Sequence, residues 1–435
     1  MFKINKNSHT RKGEKIMNYK KFTNNAYNLH IINTNKFKTI MVKINFKNKI
    51  KKQDITYRNL LGKILFQANE NFKTKRELEI FTEELYNLNI GCKNYISGNY
   101  IITSFNCVFL NEKYTEENMN NKSLDFLFDI IFKPSIENKE FYYFDLVKRL
   151  VKDEIDTLKD DPNRYSTQRL FQNMDKNSIL SYNSIGYMDD LESITNKDLY
   201  KYYQKMLKSN LIDIFIIGDI DSDEMKNEIL KKFPINTIKK PSESHFYEHE
   251  KIRRPKTVKE NLDVQQSKLR MGYKLTNLTD FERKYVANIY SFILGGGPDS
   301  KLFKNVREKN SLCYSVNSSF LPIFNTMIIS AGINKEDFKK CVSLIKKEVT
   351  KLSKGDFKEE DIDAAKTTYL NSLKEIEDSQ SSILRIFESY EYLNFDLLED
   401  RTSIINVTKE DIINFSKKIH LDTIYVLEGE EDEEA

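Results

Sequence analysis

Two stretches of this chain carry residue types that do chemistry elsewhere. The first is His245-Phe246-Tyr247-Glu248-His249, two imidazoles four residues apart with a carboxylate beside the second. On a helix that spacing puts both rings on one face, where they chelate a divalent ion while the carboxylate activates a water. The segment, however, follows Pro241 in a stretch bounded by Pro234 and Pro255, with no extended amphipathic pattern and no evident third ligand. Loops rarely hold imidazoles in ligand geometry, so a solvated connector is the favoured reading, with adventitious metal binding by the His pair as the alternative. The second stretch is Gly295-Gly296-Gly297-Pro298-Asp299-Ser300, followed by Arg307 and Tyr314. It is too short and wrongly spaced for a phosphate-binding loop, so nucleotide binding is not expected. Three glycines allow positive φ and close backbone approach, so the loop either turns tightly between helices or presents amides to an extended peptide. A helix stop, with Pro298, Asp299 and Ser300 capping the next helix, is compatible with both. On residue type alone, Arg307 reads as a helix-surface ion-pair partner and Tyr314 as a sheet-packing ring. His9, His30 and His420 are isolated in the chain and read as structural or exposed. No His-Cys or Ser-His-Asp nucleophile set can be argued from them.

The elements that position these residues come from one unit used twice. Ser193-Ile194-Thr195-Asn196-Lys197-Asp198-Leu199-Tyr200 recurs as Asn406-Val407-Thr408-Lys409-Glu410-Asp411-Ile412-Ile413. In each copy a Thr precedes an acidic residue by three positions, a variant of the capping box at a helix start. A short amphipathic helix follows (199–206; 412–419), then an apolar run (212–218; 423–427) that reads as a buried strand. Upstream, alternating strands are predicted at 94–108 and 315–329. Long helices are predicted at 121–132 and 140–159, and again at 336–352 and 359–379. The expected fold is α+β, with two pseudo-repeated domains, each a mostly antiparallel sheet flanked by helices. The domains are expected at 18–233 and 261–428, with an interdomain linker at 234–260, a disordered stretch at 1–17 and a solvated acidic tail at 429–435.

Composition fits this outline. With 435 residues and 51.4 kDa the chain exceeds the size of one growing core, and 39% hydrophobic with 12% aromatic residues suffices for two. The absence of an 18-residue apolar run argues against a membrane span, and the basic, polar N-terminus lacks the apolar region of a secretory signal, so cytoplasmic residence is expected. Cys92, Cys107, Cys313 and Cys341 form no CxxC pair and read as reduced, buried thiols. A net charge of +4 supports no nucleic-acid footprint.

These features, in order, resemble the M16 (pitrilysin or insulinase-like) peptidase family from about Tyr19 to Leu427. They are duplicated halves, an early helix running into Ile64-Leu65-Phe66, a Gly-rich loop, and Arg307-Glu308-Lys309 ahead of Leu312 and Tyr314. Active members carry an inverted zinc motif, His-x-x-Glu-His, on the early helix, plus a distant glutamate ligand. Alignment on Ile64-Leu65-Phe66 sets Asn59, Gly62 and Lys63 at those positions, with Glu154 near that of the third ligand. Glycine has no proton-transfer group, and an ammonium repels a divalent cation. Glu154 alone does not hold zinc, and its plain reading is a helix-surface carboxylate paired with a neighbouring Lys. The resemblance implies that Arg307 and Tyr314 reach the substrate backbone and the oxyanion, tasks that suit a guanidinium fork and a phenol. It also likens Gly295, Gly296 and Gly297 to the Gly-rich loop of non-catalytic subunits. The implied protein is a non-catalytic subunit with no cofactor of its own. It would form a heterodimer with a zinc-bearing M16 homologue and take a peptide or unfolded polypeptide as substrate. Within the family it resembles bacterial members associated with the 5-aminopentanol modification of elongation factor P, which occur as one metal-lacking and one metal-bearing protein. Three rivals stand beside this reading. They are a subunit of a bacteriocin-type peptide-maturation protease, a stand-alone peptide-binding or chaperone-like protein that adds strands to an open sheet edge, and a self-sufficient metalloprotein using His245 and His249.

Overall fold

The computed structural model describes residues 4–5, 17–235, 246–249, 251–393 and 401–429. Its contacts divide into two units, one of Met1–Asp156, Asn183–Glu243 and Glu377–Glu388, the other of Thr157–Tyr182, Ser244–Ile376 and Ser389–Ala435.

The first unit is built on a seven-stranded sheet. Its strands are β1 (Ile4–Asn5), β2 (Met17–Thr23), β3 (Tyr27–Asn33), β4 (Thr39–Lys49), β5 (Asn89–Ser97), β6 (Tyr100–Leu110) and β7 (Leu211–Gly218), in the order β1-β2-β3-β7-β4-β6-β5. β3 and β7 pair in parallel, while β7, β4, β6 and β5 pair antiparallel in turn. β7 is central, and its isoleucine-rich run is buried on both faces, which explains its continuous apolar pattern. Alternation sends Ile212, Ile214 and Ile216 into the main core with Leu60, Leu61 and Phe105. Asp213 faces the other way and is buried beside Lys47, 3.4 Å away. The start of the helix Gln380–Leu393 belongs to this unit: Gln380 donates to Thr39 O at 2.8 Å, and Glu388 meets Lys43 at 2.5 Å and Asn45 at 2.7 Å. On the core side, α1 (Lys52–Ile64) packs against α2 (Phe144–Asp156), whose Phe144, Val147 and Val151 form the buried face at helical spacing.

The second unit has a five-stranded sheet of β8 (Lys256–Asn261), β9 (Ser267–Leu275), β10 (Ser315–Leu321), β11 (Thr326–Ile333) and β12 (Ile419–Glu428), in the order β8-β12-β9-β11-β10. Only the β8–β12 pair is parallel. α3 (Pro162–Met174) covers one face, Leu170 and Met174 packing with Ile328, Tyr425 and Leu427. α4 (Ala287–Gly295) contributes Tyr290, Ile293 and Leu294 to the main core of this unit, together with Val316 and Ile329.

The α+β fold of two pseudo-repeated units is the one expected. Thr195 accepts a hydrogen bond from Asp198 N at the start of the helix Asn196–Ser209, and Thr408 forms a complete capping box with Asp411 ahead of Lys409–Ser416. Two segments are exchanged relative to the linear repeat: 157–182 groups with the second sheet and 377–388 with the first. All but the last residue of β8 falls in the stretch expected to be linker, and Ile4–Asn5, in the stretch expected to be disordered, pairs in parallel with Met17–Asn18. The remainder of 1–16, residues 236–245 and the acidic tail from 430 lie outside the described residues.

Candidate functional site

Asn59 and Lys63 stand one turn apart on α1, and Glu154 lies near the end of α2. The structure brings all three together. Asn59 Nδ2 donates to Glu154 Oε2 at 2.9 Å, and Lys63 Nζ lies 3.2 Å from the same oxygen. Asn59 Nδ2 also donates to Ile185 O at 2.9 Å. Zinc does not fit this set, because the Asn59 amide nitrogen and the Lys63 ammonium offer no lone pair and both face the carboxylate as N–H groups. The lysine that pairs with Glu154 comes from the facing helix, not from a sequence neighbour. The space beside Gly62 is filled as well: a Cβ there would lie 2.9 Å from Asn94 Nδ2 and 3.2 Å from Cys92 Sγ.

Residues that sequence reasoning missed fasten α1 in place. Arg58 is fully buried: its Nε donates to Tyr202 Oη at 3.2 Å, and Nη1 donates to Phe46 O at 2.9 Å and Thr103 Oγ1 at 2.8 Å. Its Nη2 donates to Asn210 Oδ1. Thr56 Oγ1 accepts from Tyr187 N at 3.1 Å, and Gly186, at φ +100°, lets that loop come close; a Cβ there would stand 2.6 Å from Thr56 Oγ1. Burial raises the Asp54 carboxyl above its ordinary value, with Lys205 and Arg58 opposing. The signal for these residues was available: Asp54 and Arg58 lie one turn apart on a helix that must bury Ile55, Leu61 and their neighbours.

In the second unit, Arg307 sits in the wide helical turn Phe303–Glu308, exposed, with its guanidinium carbon 4.6 Å from the centre of the Phe303 ring. No carboxylate among the described residues pairs with it. Tyr314 immediately precedes β10 and is 68% exposed; its backbone N–H donates to Gly332 O at 3.0 Å, and its hydroxyl has no partner among the described residues. Neither the surface ion pair nor the sheet-packed ring describes these two side chains. The field of Arg307 reaches Cys313, next to Tyr314; burial pushes that thiol up to about 11, and the guanidinium acts against the rise. The glycines divide in role. A Cβ on Gly295 would stand 2.5 Å from Ser318 N of β10, and one on Gly296 2.6 Å from Phe292 Cα, so packing accounts for both. Gly297 faces open space, and its carbonyl accepts from Ser300 Oγ at 2.6 Å as the next turn begins.

The literal His-x-x-Glu-His stretch is not helical where described. His245 lies outside the described residues. Tyr247 N donates to Ile323 O at 2.8 Å, Asn325 Nδ2 donates to Tyr247 O at 3.1 Å, and Arg283 stacks on Phe246 at 4.3 Å. His249 Nε2 lies 3.2 Å from Asn325 O and 3.0 Å from Thr326 Oγ1, and burial, with Lys274 adding, lowers its pKa to about 4. His30 is fully buried, stacked 4.3 Å from Phe215, with Tyr19 Oη 2.8 Å from its Nδ1. Cys107, Cys313 and Cys341 are buried and Cys92 half-buried, all four unbonded.

A family model described as the Peptidase M16 inactive domain matches residues 193–369. Over 409 residues the chain is 32% identical to the probable inactive metalloprotease YmfF of Bacillus subtilis (strain 168), covering 92% of this chain and 96% of that protein. The crystal structure of a conserved protein from Enterococcus faecalis V583 superposes with a TM-score of 0.87 at 27% identity, covering 96% of this chain and 100% of that one. The peptidase M16 inactive domain from Pseudomonas fluorescens shares the fold, with a TM-score of 0.77 at 14% identity over 96% of this chain and 100% of its own. The family model and the extent of the identity place the chain in one family: it belongs to the M16 peptidases.

Proposed function

We propose that this chain is a non-catalytic M16 subunit that grips an extended peptide and completes the cleft of a separate, zinc-bearing homologue. The observation that carries the reading is the contrast between two clusters. Asn59 and Lys63 both meet Glu154, one by a hydrogen bond and the other by an ion pair, whereas Arg307 and Tyr314 stand exposed with side-chain donors free of protein partners among the described residues. A guanidinium on an aromatic ring and an exposed phenol suit a peptide carbonyl and its developing oxyanion. No helix of the described residues is long and apolar enough to cross a membrane, and cytoplasmic residence is part of the same proposal.

The test is reconstitution with a zinc-bearing M16 homologue from the same genome. Zinc-dependent peptide cleavage is expected only in the mixture, and it falls when Arg307 is changed to Ala. An unchanged rate in that variant, or cleavage by this chain alone, overturns the proposal. A second reading draws on β10, an edge strand that pairs only with β11 among the described residues. A peptide could extend the sheet there without any catalysis. Peptide capture with no cleavage in any mixture would favour it.

A further inference from the structure

We infer that the Lys63 ammonium is a tethered replacement for a metal ion, seated in a scaffold that still brings three side chains to ligand positions. Two nitrogens one turn apart on α1, Lys63 Nζ at 3.2 Å and Asn59 Nδ2 at 2.9 Å, meet the same Glu154 oxygen from α2. One carboxylate oxygen facing two nitrogens at positions i and i+4 is the layout of a two-His, one-Glu site, with N–H donors in place of lone pairs. The backbone beneath it is not free to drift. Arg58 and Thr56 fasten α1, Phe144, Val147 and Val151 seat α2, and Ile185 O fixes the Asn59 amide.

Charge completes the argument. Glu154 at the α1–α2 contact has a positive neighbour in Lys63, as a metal-ligating carboxylate has in its cation. Both side chains are about one-third exposed, 34% and 31%, so the pair adds little beyond that neutralisation. The activating carboxylate is a different matter. Asn94 and Cys92 occupy the space beside Gly62, so ligands returned to positions 59 and 63 give a site that binds and does not hydrolyse. Nothing here rests on the peptide-gripping proposal, and no result on peptide binding bears on it.

Two experiments on the full chain test it. In the first, Asn59→His and Lys63→His are introduced together, folding is checked by circular dichroism, and Zn²⁺ alone is titrated against a chromophoric chelator. One zinc per chain beyond the parent is expected. Adding Glu154→Gln should weaken it by at least the ~10–100-fold that outer-shell changes cost, which separates this site from zinc held by His245 and His249. A folded double variant that takes up no more zinc than the parent overturns the retained ligand geometry. The second needs no histidine and no metal, so it stands even if the first variant fails to fold. It is a thermal double-mutant cycle of Lys63→Met and Glu154→Gln in the parent. The double variant should lose less melting temperature than the two single losses combined, and strictly additive losses overturn the ammonium's role.

Discussion

The early helix of the first unit and the stretch between α4 and β10 of the second both concentrate nitrogen donors, and they dispose of them in opposite ways. Around α1 the polar groups answer one another: Asn59 and Lys63 meet Glu154, Arg58 meets four oxygens, and Thr56 meets the Tyr187 amide. In the second unit Arg307 lies on the Phe303 ring and Tyr314 projects into solvent. A buried donor or acceptor left without a partner costs about 1–3 kcal/mol, whereas an exposed one is satisfied by water until a ligand displaces it. A region whose polar groups are satisfied internally has little to offer a ligand. Stability should therefore reside in the first cluster and binding in the second.

The largest effect that would break this contrast is on stability. Arg58→Ala leaves Phe46 O, Thr103 and Asn210 short of a donor and opens a cavity, so a loss of about 3–5 kcal/mol is expected in denaturant unfolding. Arg307→Ala should stay within about 0.5 kcal/mol of the parent. Equal losses would erase the distinction. Next comes pH, which should not distinguish the units, since each holds a neutral histidine, His30 buried and His249 half-buried, with its pKa lowered to about 4. For His30, burial is the main cause; Asp213 opposes it, and Lys21 and Lys47 reinforce it. The unfolded chain binds more protons between pH 4 and 6.5, so stability present above about 6.5 is lost as the pH falls toward 4, by up to about 3 kcal/mol for each histidine. His30→Asn and His249→Asn should each flatten that decline in melts across this range.

Gly295→Ala sharpens the picture of the second unit. Its Cβ would press on the backbone of β10, and about 1–3 kcal/mol should be lost through overpacking. Tyr314→Phe, by contrast, should leave the melting temperature unmoved. Lys63→Ala should cost less than about 1 kcal/mol in the same melts, because the pair with Glu154 is one-third exposed.

What the sequence made legible follows from the range of the physics involved. Helix caps at Thr195 and Thr408 are chemistry over three residues, and the β7 core strand is a continuous apolar run, so both were readable. The sheet a helix covers is not a local property. α3 and the start of the helix Gln380–Leu393 are amphipathic in either setting, and partners far along the chain, Tyr425 and Leu427 for one and Thr39 and Lys43 for the other, show where they go. β8 was hidden because Lys256, Lys259 and Glu260 give it the composition of a linker, as befits a sheet edge. In the candidate site, Lys63 and Glu154 could each be assigned a position, but their meeting across two helices required the fold. Arg58 was passed over because a charged residue on an apolar helix face is ordinarily read as exposed, and its four acceptors come from three other segments.

The contrast is tested most directly by the anisotropy of a fluorescent extended peptide bound to this chain alone, with and without a zinc chelator. The account predicts affinity that is indifferent to the chelator, at least about tenfold weaker in Arg307→Ala and nearly unchanged in Lys63→Ala. Binding that collapses with the chelator, or that survives Arg307→Ala and fails in Lys63→Ala, would contradict it.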